Sequence, residues 1–205
     1  MSKDLVALVA DVQQEKTLET LLRERRQSLR MRAITFDIFR HPRKDAGVYH
    51  EAADFLAPYR PPQYDHALVM LDCAWDGAPG SATHLRQAIG QGLQARGWQV
   101  GAYEVIAIEP ELEVWVWATS PAAPDVLRVT WDDIRALARQ RSYWVEGDAK
   151  PVQPKELLEA ILRQQRRPRS ASIFQDLARR VGLAQCQDPS FVLPRDTLAL
   201  WFAAR

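Results

Sequence analysis

Three apolar runs of strand length in this 205-residue chain end in carboxylates. "LVALVA" (5–10) runs into Asp11, with Glu15 four residues on. "HALVMLD" (66–72) ends at Asp72, with Asp76 four residues further and Gly77 directly behind it. "WQVGAYEVIAI" (98–108) runs into Glu109, with Glu111 and Glu113 following. In open parallel sheets ligands bind at the carboxyl ends of the strands. Acids delivered there from separate strands outline a hard-cation site, because Mg2+ and Mn2+ prefer oxygen ligands and keep several waters. Each acid also has a structural use. Asp11 is a favoured helix N-cap residue, and Glu15 is an ordinary solvated acid of a helix face. Asp72 and Asp76 can cap a turn in which Gly77 supplies a positive φ. Glu111 and Glu113 can complement the dipole of a first helical turn. Their coincidence at three strand ends is what points to a site.

The elements that must position these acids follow from periodicity. The first run, 5–10, is continuously apolar, as a strand buried on both faces should be. "RAITFDIF" (32–39) is β-branched and aromatic, and 66–72 and 98–108 supply two further strands. Between them lie helical patterns: "QQEKTLETLLRERRQSL", with Leu18, Leu21 and Leu22 at helical spacing; "VYHEAADFLAPY", stopped by prolines; and "SATHLRQAIGQGLQARG", opened by Ser81 and closed by Gly97. "HPRKDAG" reads as a loop. The alternation predicts an α/β fold with a parallel sheet of about four strands flanked by helices. "EPELEVWVWA" reads as a helix with Pro110 at its first position, although Trp115 and Trp117 could also belong to a strand. "SPAAPDVLRVT" reads as a linker, and four helical patterns follow, the last at 194–204. The expected organisation is a core over residues 4–120 and a helical C-terminal extension over 121–205, packed on the core.

Composition narrows the function classes. Hydrophobic residues make up 47% and charged residues 26% of the chain, ordinary values for a globular protein. No apolar run approaches the roughly 20 residues of a membrane helix, and the first residues do not form a signal peptide, so a cytoplasmic protein without membrane contact is expected. Cys73 and Cys186 make neither a disulfide framework nor a zinc motif. His41, His50, His66 and His84 lack paired-ligand spacing, and no Gly-rich phosphate loop is present. Net charge is +1, but residues 1–127 carry 13 basic and 17 acidic residues, whereas 128–205 carry 14 and 9. An acidic half beside a basic one suits a metal enzyme acting on a polyanion. "RERR" (23–26) and "RRPR" (166–169) could grip phosphates or form solvated helix ends.

A family resemblance adds to this reading. "LVADVQQEKTLETLL" resembles the first motif of TOPRIM-fold proteins, in which a strand delivers an acid and a second acid follows four residues later. "VMLDCAWDG" is similar to their Asp-x-Asp motif after the third strand, with Ala74 where the second aspartate usually stands and Asp76 two residues beyond. "AIEPELEVWVWA" looks like the Pro-Glu-x-Glu-x-Trp segment of TOPRIM-like proteins of bacterial phage-defence loci, the RloB-related and OLD-nuclease-like group. "PKELLEAIL" and "CQDPSF" look like that group's helical extension. The resemblance implies an antiviral defence component that cleaves phosphodiesters in nucleic acid with Mg2+ or Mn2+, alongside other subunits of a defence system. It implies Asp11, Glu15, Asp72 and Asp76 as metal ligands, and Glu15, Asp72 and Glu113 as catalytic residues. A catalytically degenerate subunit acting through protein contacts is the alternative that Ala74 leaves open.

Overall fold

The computed structural model describes residues 2–117, 122–180, 182 and 186–204. Strands β1 (Lys3–Val9), β2 (Phe36–Arg40), β3 (Tyr64–Asp72) and β4 (Tyr103–Ile108) form one parallel sheet in the order β2-β1-β3-β4. This is the α/β architecture that the alternating pattern predicts. β1 is central, pairing Leu5 with Phe36 on one side and with His66 on the other. Its run from Leu5 to Val9 is fully buried for that reason. β4 joins the far side of β3, with Asp72 beside Ile108.

Because side chains alternate across a strand, the sheet builds two cores. Leu5, Ala7, Val9, Leu68, Met70, Ile106 and Ile108 face one side. Val6, Leu8, Ala67, Val69, Leu71, Val105 and Ala107 face the other. The second face is covered by α2 (Lys44–Leu56) and α3 (Ala82–Ala95), whose Val48, Leu56, Leu85 and Leu93 are fully buried. The first face is covered by α1 (Val12–Glu24) and by helices from the C-terminal part of the chain. These are α4 (Ala122–Leu127), α5 (Trp131–Arg141), α6 (Pro154–Gln164), α7 (Ala171–Arg180) and α8 (Pro189–Trp201). Leu157, Leu158, Ile161, Phe174, Leu177 and Leu198 from this region share one buried cluster with Leu5 and Leu68. α7 lies along α1, and α8 lies against β4. Among the described residues no helix is long and apolar enough to cross a membrane.

Several boundaries differ from the periodicity, each for a local reason. The fourth strand begins at Tyr103 and not at Trp98. Gly101 at φ +86° turns the chain, and Trp98 is instead buried with its indole N–H donating to Leu56 O at 3.3 Å. The segment after Pro110 is a short 3-10 turn at Leu112–Trp115 and no longer helix. Residues 118–121 of the expected linker lie outside the described residues, and the following segment is α4, whose Ala123 and Leu127 are fully buried. α8 starts at Pro189, where Asp188 accepts from Ser190 N, and it carries Pro194 inside it. Ser81 does cap α3, accepting from His84 N, and Gly97 follows the helix at φ +93°.

α2 starts at Lys44, within the stretch "HPRKDAG" that reads as a loop. Gly47 explains the discrepancy. A glycine inside a helix costs about 1 kcal/mol relative to alanine, which weakens the helical signal. Here, however, the helix passes so close to the buried His41 that a Cβ on Gly47 would lie 2.0 Å from its Nδ1. Gly47→Ala is therefore expected to destabilise the protein by about 1–3 kcal/mol, the usual cost of overpacking. A lowered urea midpoint with an unchanged m-value is the result to look for; an unchanged midpoint would show that His41 moves aside freely. The early start also matters for the site, because it puts Asp45 in the first turn of α2.

Candidate metal centre

Asp72, the last residue of β3, is held from several directions. Its backbone N–H donates to Asp45 Oδ1 at 2.9 Å. Its Oδ1 accepts from Gln14 Nε2 at 2.9 Å and from the Leu112 backbone N–H at 3.0 Å. Gln14 is itself fixed, since its Oε1 accepts from Ala10 N at 2.9 Å and it is almost wholly buried. The loop after β3 is stitched to the loop after β4. Cys73 N donates to Ile108 O and Pro110 O, and Ala74 N donates to Pro110 O. That stitching carries Glu111 and Glu113 against Asp72. One oxygen from each of Asp72, Glu111 and Glu113 lies within 4.8 Å of the others.

The three carboxylates are not equivalent. Glu113 is 1% exposed, and Arg169 donates to its Oε1. Its Oε2 is buried and finds no hydrogen-bond partner among the described residues. Glu111 is 7% exposed and lies 3.4 Å from Lys155 Nζ. Burial raises the Glu111 carboxyl to about 7, with Glu113 adding to the rise and Lys155 opposing it. Burial likewise raises Glu113, against the pull of Arg169. Asp72 lies well above the ordinary carboxylate range, first through burial and then through Asp45, Glu113, Asp11 and Glu111 around it. An unsatisfied buried carboxylate oxygen is costly. Desolvated acids among which Glu113 raises Glu111, and both raise Asp72, are the arrangement a divalent cation relieves. Oxygens across a six-coordinate Mg2+ span about 4.2 Å at the usual bond length of about 2.1 Å. The cluster is thus within a small closure of that size, and its residues fit such an ion.

The other residues singled out from sequence are placed as follows. Asp11 caps α1, its side chain accepting from Gln14 N at 2.9 Å, and its charge is felt at both Asp72 and Asp45. Glu15 pairs with Arg40 at 2.7 Å and lies 3.5 Å from Lys16. Asp76 and Glu109 are exposed and are not in the three-acid group. In the loop after β3, next to Asp76, Trp75 packs beside Tyr49, with ring centroids 6.1 Å apart. Within "RRPR", Arg167 donates to Val126 O and Arg169 to Glu113. An open cleft of about 720 Å3 adjoins the site, lined by Asp11, Glu15, Arg40, His41, Lys44 and Arg169 among others. Gln14 and Lys155 carry no motif that marks them as site residues. Asp45 leaves a local trace as an acid in what proves to be the first turn of a helix, and Arg169 one as a member of the basic run 166–169.

Comparison with protein-family models, curated proteins and solved structures finds no match to this chain. What the structure defines is a class: a parallel α/β protein with a carboxylate cluster at the carboxyl ends of its strands.

Proposed function

We propose that this protein is a TOPRIM-like component of a bacterial anti-phage defence system that cleaves phosphodiester bonds in nucleic acid with Mg2+ or Mn2+. The observation that carries the reading is the buried, unpartnered Oε2 of Glu113 within a cluster completed by Asp72 and Glu111. Those three residues would hold the ion. When bound there, a divalent cation would supply polarisation of a phosphate and a lowered pKa for a bound water. The chain's own residues do the remaining work. Gln14 and the Leu112 N–H fix the Asp72 carboxylate. Arg169 keeps Glu113 oriented, and Asp11 and Asp45 add negative potential behind the cluster. Arg40 and Lys44 line the adjoining cleft and offer positive charge to a phosphate backbone.

The test is cleavage of DNA and RNA in Mn2+ by wild type and by Glu113→Gln, with melting curves confirming that both are folded. A loss of at least about a hundredfold in the variant is expected, beyond the usual effect of outer-shell changes. Equal activity in the two proteins would overturn the assignment. A second reading is a degenerate subunit that works through protein contacts and other defence-system partners. Lys155 and Arg169 favour it, because they already neutralise two of the three acids from within the chain.

A further inference from the structure

Three tryptophans meet at a second open cleft of about 720 Å3, between α5 and the loop 143–150. None of the residues that line it belongs to the acidic cluster. Trp117 is 1% exposed and closes the floor, its indole N–H donating to Pro154 O at 3.0 Å. Trp144 stands against it with ring centroids 6.2 Å apart, and its N–H donates to Asp148 O at 2.9 Å. Both N–H groups are thus satisfied internally, and what the partly exposed Trp144 presents to a ligand is aromatic surface. Trp131, at the start of α5, is partly exposed and lines the same cleft. Arg135 and Arg139 lie four residues apart on α5, on one helix face, and both line it. Neither is engaged in an ion pair among the described residues. The rim adds the exposed acids Asp132, Glu146 and Asp148.

From this juxtaposition we propose that the tryptophan cleft binds a nucleotide unit, either free or as part of a single strand. Its base stacks on Trp131 and Trp144, and its phosphate bonds to Arg135 and Arg139. Stacking on an aromatic ring contributes about 1–3 kcal/mol per base, and paired guanidiniums suit a phosphate geometrically. The rim carboxylates accept from sugar hydroxyls, as acids do in other nucleotide sites. The volume lies within the range of small-molecule pockets. A quaternary ammonium would also seat on tryptophan faces, but two guanidiniums one turn apart on the same helix face are what a phosphate uses and a cation does not.

The full chain in EDTA, which removes divalent cations from the acidic cluster, is titrated with AMP, adenosine, oligodeoxyadenylate and choline while indole fluorescence is followed. AMP is expected to quench the signal saturably, and Trp131→Ala to abolish the change. The double variant R135Q/R139Q, altered only at exposed positions, is expected to weaken AMP at least about tenfold while leaving adenosine unaffected, the loss of a charge-assisted contact. AMP binding as well as the oligonucleotide identifies a free nucleotide as sufficient; tighter oligonucleotide binding identifies a strand. Either result supports the proposal. Saturable choline binding without AMP binding, or AMP affinity unchanged in R135Q/R139Q, overturns it.

Discussion

Asp72→Asn is expected to raise the melting temperature of the metal-free protein and to erase the shift that Mn2+ produces in the wild type. The substitution keeps the shape of the side chain. Asparagine Oδ1 can still accept from Gln14 Nε2 and from the Leu112 N–H. It removes a charge that burial and the acids Asp45, Glu113, Asp11 and Glu111 all disfavour. It also introduces an N–H donor beside carboxylates of which one, Glu113 Oε2, has no partner among the described residues. A gain of about 1–2 kcal/mol is the expected order for relieving such a site. In the wild type, Mn2+ at a hundred times its dissociation constant stabilises by about 2.7 kcal/mol. For a chain of this size that is a rise of about 5–10 °C. In Asp72→Asn the rise should vanish although the protein starts out more stable. Equal Mn2+ shifts in both proteins, or a metal-free variant that melts below wild type, would remove Asp72 from the metal site.

The opposite signs of these two effects carry the argument. A residue kept for folding alone should not cost stability in the resting protein. Gln14 contributes to that cost. By bonding both Ala10 N and Asp72 Oδ1, it ties the start of α1 to the end of β3. The carboxylate is thereby fixed among like charges and cannot turn away from them. Lys155 and Arg169 offset part of the repulsion, and both come from segments far along the chain. The helices that follow residue 122 therefore complete the electrostatics of the site as well as one face of the sheet.

That division explains what could be read from residue patterns. β1 and β3 were legible because their buried runs, Leu5–Val9 and Ala67–Leu71, have no polar interruption, and the half-buried β2, which carries Asp37, through its β-branched and aromatic residues. Asp72 was legible because it ends such a run. Glu111 and Glu113 were visible as acids after the fourth strand, but the helix expected there would have set their side chains differently from the observed 3-10 turn. Their approach to Asp72 depends on backbone bonds from Cys73 and Ala74 to the loop around Pro110, which have no sequence signature. Asp45 was obscured by Gly47, whose helix-breaking tendency is overridden by close packing on His41. Arg169 looked like one member of a basic run. Its pairing with Glu113, 56 residues away, is a tertiary fact.

The pH dependence of stability gives the second large effect. The Glu111 carboxyl is raised to about 7 in the folded protein, from 4.5. Between those values the native state holds a proton that the unfolded chain has released. Raising the pH through this window therefore favours unfolding, and the metal-free protein loses stability until about pH 7. For Glu111 alone the full loss is about 3 kcal/mol. Asp72 and Glu113, also raised, act in the same direction. His66 acts in the opposite one: burial lowers its pKa, so its contribution improves as pH rises toward 6.5. The diagnostic is accordingly the difference between wild type and Glu111→Gln. In EDTA, wild type should fall relative to the variant from pH 5 to pH 8. In Mn2+ the trend should reverse, because metal binding requires ionised carboxylates and strengthens over the same window. Parallel profiles for the two proteins would mean that the Glu111 carboxyl is not raised in the folded protein. A relative loss in EDTA that Mn2+ fails to reverse would mean that the cluster is strained for some purpose other than holding a cation.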